Sequence, residues 1–392
     1  MIFNSQSSPL KYIHRISSQQ GFSLVEFMIT SVIALFLVLG MSQIFLASRS
    51  GYSVAQAKAR MQEGARIGLE TLQRDIRMAG YMGCVNDGAR LRNLEIFVRL
   101  PGAANFRNFT GVAFQNNFAR ATEGFEATNT GPGQSLTLGT GTGEWTPALP
   151  AVLRGLPVVG SDVMVVRYLG PERARLVDFV PNVGGATVQV DTTMTGPIVA
   201  GRTYALSNCN QVSFFVANNV NAVGNRFVAS GVSGAEFFSP ATSYLYEVTR
   251  AAYYVGEEPN TNTVGLFRYM LDENVPAPTE AIVPNVASLQ LMYGWDTQLP
   301  LPDGAINVLG TGATLSTAVV GTQTAYSRVG QVRVGLLMTE NTNSRRASES
   351  SNLNTTPETI LGAQLTPPNQ EQDRLAEVYE ITASPRNHLF GY

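Results

Sequence analysis

From residue 27 to residue 48 no side chain carries a charge. As a helix that run would be about 33 Å long at about 1.5 Å per residue, enough to cross a hydrocarbon core of about 30 Å. One carboxylate, Glu26, stands at its leading edge, with Gly21 and Phe22 before it. A carboxylate so close to a membrane span costs free energy unless it finds a partner. A plain single-pass anchor explains the apolar run but leaves Glu26 without a purpose. A secretory signal would be cut behind its core, near Ala47, and that core would be only about 7–15 residues long. The remaining reading places the cut before the core, between Gly21 and Phe22, so that the span stays in the mature chain.

The stretch Gly21, Phe22, Ser23, Leu24, Val25, Glu26 resembles the start of the type IV prepilins, in which a short basic leader ends in Gly and is followed by Phe-Ser/Thr-Leu-X-Glu and a long apolar run. The resemblance implies cleavage between Gly21 and Phe22 by a prepilin peptidase, then N-methylation of Phe22. It also gives Glu26 a mechanism. In a bundle of staggered identical helices, the carboxylate of one subunit neutralises the free α-amine of a neighbour. Pairing relieves two desolvated charges at once and fixes the axial offset between subunits, since one register brings the charges together. A Glu that snorkels to the headgroup boundary is the plainer alternative.

The leader, residues 1–21, carries Lys11 and Arg15 and no acid, as an N-terminus held in the cytoplasm should. Residues 49–83 hold six basic and three acidic residues, whereas residues 84–392 hold 19 Arg, no Lys and 25 acids. Charged residues are 14% of the chain, below the usual quarter, and frequent Gly, Thr, Asn and Ser suit a loop-rich β protein outside the cytoplasm. A length of 392 residues allows one large or two ordinary domains. The two cysteines, Cys84 and Cys209, form an even pair in an exported chain and read as a disulfide rather than a metal site. A reduced, buried pair is the alternative.

Helical spacing continues beyond the span. Tyr52, Ala55, Ala59, Leu69, Leu72, Ile76 and Ala79 recur on one face, and Glu70 precedes Arg74 by four in the favourable order. Gly64 and Gly68 weaken the middle by up to about 1 kcal/mol each relative to Ala, and Gly80 and Gly83 stop the pattern. Two helices broken near Gly51 are the alternative to one. The second half needs a cover for its apolar face, and a folded head is expected to cover most of this basic segment too.

After Cys84 strand-like runs take over, at 135–138, 162–169, 186–190, 203–207, 212–217, 244–255, 266–271, 286–295, 328–339 and 376–382. Val332, Val334, Leu336 and Met338 alternate with Arg333, Gly335 and Leu337, the pattern of a half-buried strand. One large sheet with insertions and two small sheets both remain open. Residues 139–144 read as a Gly/Thr turn. Residues 341–372, polar and containing Pro357, Pro367 and Pro368, read as a disordered or solvated crossover.

Catalytic constellations are missing from the sequence. The Gly139-Thr140-Gly141-Thr142-Gly143 run is followed by Glu144, Trp145, Thr146 and Pro147 rather than by a helix, so it is no nucleotide fingerprint. Ser233 misses the nucleophile-elbow pattern. With the leader removed, His388 is the sole histidine, which disfavours both a Ser–His triad and zinc. Glu257 and Glu258 read as a solvated turn, and no calcium-loop pattern occurs. Neither a cofactor nor enzymatic activity is expected. Nucleic-acid binding needs a basic track, and residues 84–392 are acidic.

Beyond the leader, the run from Ala59 to Cys84 resembles the PilW-type minor pilins: Gln62, Glu63, Gly64 and Arg66, then Leu72, Arg74, Asp75, Ile76, Arg77, Met78, Ala79, Gly80, Tyr81, Gly83 and Cys84. Leu206-Ser207-Asn208-Cys209, the run 332–340 and Arg386-Asn387 are similar to later family segments. The family implies an α+β, type IV pilin-like fold: leader 1–21, N-terminal helix 22–83, and a periplasmic β-rich head 84–392 forming an αβ-roll on the helix's second half. It implies a minor pilin that primes assembly with other minor pilins and the major pilin, displays a large tip adhesin, and supports adhesion and twitching. Such a subunit sits in the inner membrane, head in the periplasm, before joining the surface pilus. A minor pseudopilin of type II secretion or a DNA-uptake pilus subunit is the alternative. Gln43 stands where major pilins usually carry Pro, which leaves Gly40 as the one place for a kink.

Overall fold

The computed structural model describes residues 21, 23–84, 98–99, 113–191, 194, 196–209, 211–221, 225–232, 238–258, 263–271, 279–300, 302–321, 323–341, 357–367 and 374–386. The protein is α+β. Contacts divide it into two units, with the boundary between Tyr52 and Ser53. Helix α1, Leu24–Met78, begins in the first unit and ends in the second, and both Gly40 and Gly51 lie inside it. Among the described residues it is the one helix long and apolar enough to cross a membrane. Its side chains from 24 to 49 are exposed.

In the second unit α1 becomes amphipathic. Met61, Ala65, Leu69, Leu72 and Ile76 form one buried stripe, packed against strand residues such as Tyr253, Leu266, Val283, Leu289, Val334 and Leu336. The glycines that weaken the helix have a packing reason. A Cβ on Gly64 would lie 3.0 Å from Val283 Cγ1, and one on Gly68 would lie 3.1 Å from Leu336 Cδ1. The strands therefore approach the helix backbone more closely than Ala would permit without their moving.

Both small and large sheets are present. A four-stranded antiparallel sheet has the order Val308–Gly310, Val286–Trp295, Val329–Asn341, Arg374–Ala383. The large sheet is built on two long strands, Val163–Asn182 and Tyr244–Glu257, paired antiparallel from Met164↔Tyr253 to Arg175↔Tyr244. Each serves two neighbourhoods. Met164, Val166, Tyr253 and Val255 face the helix core. The opposite ends close a ring through Thr203–Ser207, Val212–Asn221, Arg226–Ser230 and Gly185–Val190 back to Val163–Asn182. Alternate residues point inward, as the period of two requires, so Leu176, Val188, Leu206, Phe215, Phe227 and Leu245 make a second, separate core.

Two expectations need correction. Part of 341–372 is ordered structure: Glu358–Ile360 and Ala363–Thr366 form a hairpin, which pairs in parallel with Ser135–Thr137. Its turn residues, Leu361 (φ 47°) and Gly362 (φ 90°), have the two positive φ values of a tight two-residue hairpin. Residues 342–356 and 368–373 lie outside the described residues. The strand at 332–338 is buried on both faces in its middle rather than on one. Ile360, Ala363 and Leu365 of the hairpin pack on Leu337, and a Cβ at Gly335 would sit 2.6 Å from Ile360. Apolar burial outweighed the polar composition of the segment.

Candidate assembly site

Glu26 lies in the first turn of α1 and is exposed, as is Gly21. Phe22, on which the expected cleavage and N-methylation fall, lies outside the described residues. Three hydroxyls within the apolar run are satisfied internally. The Thr30 hydroxyl donates to the Glu26 carbonyl, Ser31 to the Met28 carbonyl at 2.8 Å, and Ser42 to the Val38 carbonyl at 2.7 Å. Such back-bonding lets hydroxyls enter hydrocarbon without unpaired donors. Leu24, Phe36 and Ile44 are each 70% exposed or more. A continuous apolar surface of this kind requires lipid or other apolar chains around it.

At its other end α1 is tied to the strands. Gly80 N–H donates to the Arg167 carbonyl and Leu169 N–H to the Tyr81 carbonyl, both at 2.9 Å, while Ser207 Oγ donates to the Met82 carbonyl at 2.8 Å. Gly83 has φ +75°, and a Cβ there would lie 2.6 Å from Ser207 Oγ. Cys84 follows and is joined by a disulfide to Cys209, 125 residues away, with Cα atoms 4.5 Å apart. Cys209 sits in the turn after Thr203–Ser207, so the bond links the helix end to the ring.

One turn earlier, Asp75 is 1% exposed. Tyr253 donates to Asp75 Oδ2 at 2.6 Å, Arg74 Nε donates to Oδ1 at 3.3 Å, and Arg268 Nη1 stands 3.9 Å from Oδ2. Burial, and then the Asp75 charge, push the Tyr253 and Tyr168 hydroxyls well above the ordinary tyrosine range. No structural role for Asp75 was read from the sequence. The signal was there: it falls between Leu72 and Ile76 on the apolar stripe.

The basic residues of the helix are not covered as expected. Lys58, Arg60, Arg66, Arg74 and Arg77 are exposed, because the strands take only the apolar stripe. Arg60 pairs with Glu340 at 2.9 Å, and Glu70 forms its ion pair with Arg66 at 3.4 Å.

Two further polar clusters are buried and were not foreseen. Arg167, fully buried, reaches Glu123 at 2.9 Å and the carbonyls of Arg120 and Phe114 at 2.6 and 2.9 Å. Asp162 accepts from Ala127 N–H at 2.8 Å and Leu291 N–H at 2.9 Å, tying the strand starting at Thr122 to the four-stranded sheet. Burial pushes Asp162 well above the carboxylate range, and the nearby Glu126 charge adds to it. Burial likewise raises Glu126 to about 7, against hydrogen bonds from Thr311, Gly312 and Thr130 that lower it. These contacts cross-link strands, and neither cluster adjoins a histidine or cysteine. Among the described residues no group of His, Cys, Asp and Glu is arranged to hold a metal; His388 lies outside them.

Residues 252–387 match the family model PilW, Type IV Pilus-assembly protein W. That span takes in the four-stranded sheet and the hairpin behind it, but neither α1 nor most of the ring. No curated protein and no solved structure matches the chain. The family match supports a PilW-type pilus protein with a role in type IV pilus assembly.

Proposed function

We propose that this protein is a minor pilin, cut between Gly21 and Phe22, methylated on the Phe22 amine, and held in the inner membrane by α1 with its β-rich head in the periplasm until it enters the pilus. The observation that carries the reading is the apolar, fully exposed first part of α1 with one carboxylate, Glu26, at its start. A membrane can cover the apolar surface but gives the carboxylate no partner, whereas a neighbouring subunit's N-terminal amine supplies one. The family match over 252–387 supports a pilus over a secretion pseudopilus. The packing of the strands on the second part of α1 supports an αβ-roll of the pilin kind. Within the pilus the protein primes assembly with other minor pilins and the major pilin and holds a large tip adhesin, and through these it supports adhesion and twitching.

N-terminal sequencing of the protein from sheared, purified pili tests the reading. A methylated Phe22 start in the pilus fraction is expected. A mature start near Ser48, or absence of the protein from pili that are otherwise normal, overturns it.

A further inference from the structure

The four-stranded sheet ends on Arg374–Ala383, and among the described residues nothing pairs with the far side of that strand. It runs antiparallel to Val329–Asn341 in unbroken register, from Arg374↔Asn341 to Ala383↔Val332. Both of its faces are occupied. Leu375, Tyr379 and Ile381 pack on the helix core, while Ala376 and Val378 pack with Leu337 and the hairpin residues Ile360 and Leu365. What stays open is the edge, a row of backbone N–H and C=O groups. Such an edge is a template for another strand, and proteins blunt it by shortness, proline or a bulge. Other terminal strands here are blunted in these ways. Val308–Gly310, Glu358–Ile360 and Ser135–Thr137 have three residues each, and Trp145–Thr146 has two. Thr279–Pro284 ends in proline and is bulged between Ala281 and Val283. Arg374–Ala383 has ten residues, no proline and no bulge.

The charges along this edge are acidic. Glu377 accepts from the Tyr379 hydroxyl at 2.9 Å, and Glu380 accepts from Leu361 N–H at 2.8 Å. Both donors are neutral, so both negative charges remain. Among the described residues no Lys or Arg pairs with Glu358, Glu377 or Glu380. Burial, and then the Glu377 charge, raise the Glu358 carboxyl above its ordinary range. Acids beside an open edge repel an acidic strand and favour a basic one. A second copy of this chain is therefore a poor occupant. Its antiparallel approach would bring Glu377 and Glu380 against the same acids, and residues 84–392 hold 25 acids and no Lys.

We infer that the free edge of Arg374–Ala383 is extended by a Lys- or Arg-bearing strand of a neighbouring pilus subunit. Main-chain hydrogen bonds hold that strand, and Glu377 and Glu380 select its charge. The inference rests on the pilus reading above and assigns the chemistry of one contact within it.

The test places a photo-crosslinking amino acid at Thr382, an exposed position of the edge strand, in the full chain in piliated cells. A second chain carries it at Ile33 in the apolar part of α1, and the cross-linked peptides are mapped. The expected result is a Thr382 adduct to a peptide of another pilus subunit that bears Lys or Arg. That adduct should fall about tenfold when Glu377→Gln and Glu380→Gln are combined, as the loss of two cross-strand ion pairs implies, with the Ile33 adduct unchanged. Glutamine keeps an acceptor for Tyr379 and for Leu361 N–H, so the strand stays in place. An adduct of undiminished yield in that variant overturns the charge selection and with it the assignment. Subunit adducts at Ile33 with none at Thr382 overturn the edge site and leave the pilus reading standing. So does a Thr382 adduct to this chain itself, to lipid or to a peptide without basic residues. Absence of subunit adducts at both positions overturns both. The Thr382 adduct in the chain with native glutamates decides the matter even if the double variant folds poorly.

Discussion

Tyr253 donates its hydroxyl hydrogen to Asp75 Oδ2 at 2.6 Å, joining helix α1 to one of the two long strands through a contact that is buried on both sides. A buried carboxylate is retained only where donors surround it. Here the donor comes from a residue 178 positions away, so the contact forms only when helix and sheet are correctly docked. Asp75→Ala leaves the tyrosine hydroxyl without its acceptor and should lower stability by about 1–3 kcal/mol. Asp75→Asn, which keeps an acceptor of the same shape, should cost less. Denaturant unfolding of the full chain in detergent measures both. Equal stability of wild type and Asp75→Ala would remove the contact from the account of the fold.

The disulfide acts on the same junction. Cys84 and Cys209 close a loop with a separation of 125 residues, for which the chain-entropy argument gives roughly 4–5 kcal/mol. The double variant Cys84→Ser with Cys209→Ser should therefore melt well below the wild type. The bonds at Gly80, Leu169 and Ser207 still hold the helix end, so the variant should fold at low temperature. Melting curves with and without reductant check this, and a reductant-insensitive wild-type transition would count against it.

Gly68 tests the close approach of helix and strands. In an exposed helix, Gly→Ala stabilises by up to about 1 kcal/mol. At Gly68 a Cβ meets Leu336 at 3.1 Å and Leu266 and Val283 at 3.4 Å, which absorbs that gain. Gly68→Leu forces the sheet outward and should cost about 1–3 kcal/mol or more by overpacking. Gly51, with nothing near its Cβ position, is the control: Gly51→Ala should be neutral or stabilising. A Gly68→Leu protein as stable as wild type would mean that the strands do not seat there.

These two residues also show how far the sequence could be read. The apolar stripe of α1 was legible because Leu69, Leu72 and Ile76 repeat at helical spacing, and strands such as Thr203–Ser207 and Val286–Trp295 were legible because they are short, mostly apolar runs between turn signals. Gly68 looked like a defect, since its reason lies in Leu336 and Val283, hundreds of residues away. The ring of strands was invisible for a similar cause. Its closure depends on Val163–Asn182 and Tyr244–Glu257 each changing neighbours along their length, which no local pattern records. Strands such as Thr122–Ala127 were missed because Glu123 and Glu126 look like surface residues until Arg167 and Asp162 are placed beside them. Glu26 was legible by its isolation at the edge of an apolar run.

The buried carboxyls give a pH dependence with a definite sign. Burial holds Glu126 at about 7, against 4.5 for an unperturbed Glu. Between those values the folded chain keeps a proton that the unfolded chain has released. Its contribution to stability is full below about pH 4.5 and is lost as pH rises through about 7. For a carboxyl displaced by this much the loss is roughly 3 kcal/mol. Melting temperature should therefore be higher at about pH 5 than at about pH 8, other titrations being equal, and Glu126→Gln should flatten the difference. An unchanged slope in the variant would show that Glu126 does not hold the proton.

Glu26 should act between subunits and not within one. It is exposed at the start of α1, and among the described residues none of the contacts that fix the strands involves it. Glu26→Ala should leave processing, membrane insertion and head folding intact, the last read from formation of the Cys84–Cys209 bond. Entry into pili should fall, because the charge that sets the axial register against a neighbour's N-terminal amine is gone. Glu26→Asp keeps the charge on a shorter reach and should retain part of the function, whereas Glu26→Gln, similar in shape and uncharged, should behave like the alanine variant. That ordering separates charge pairing from packing, since packing alone would favour Gln over Asp. The measurement is the amount of this protein in sheared pili relative to its amount in the membrane. Normal incorporation of the alanine variant would leave Glu26 as a side chain snorkelling to the headgroup boundary, and the register of the subunit would have to be set by the head.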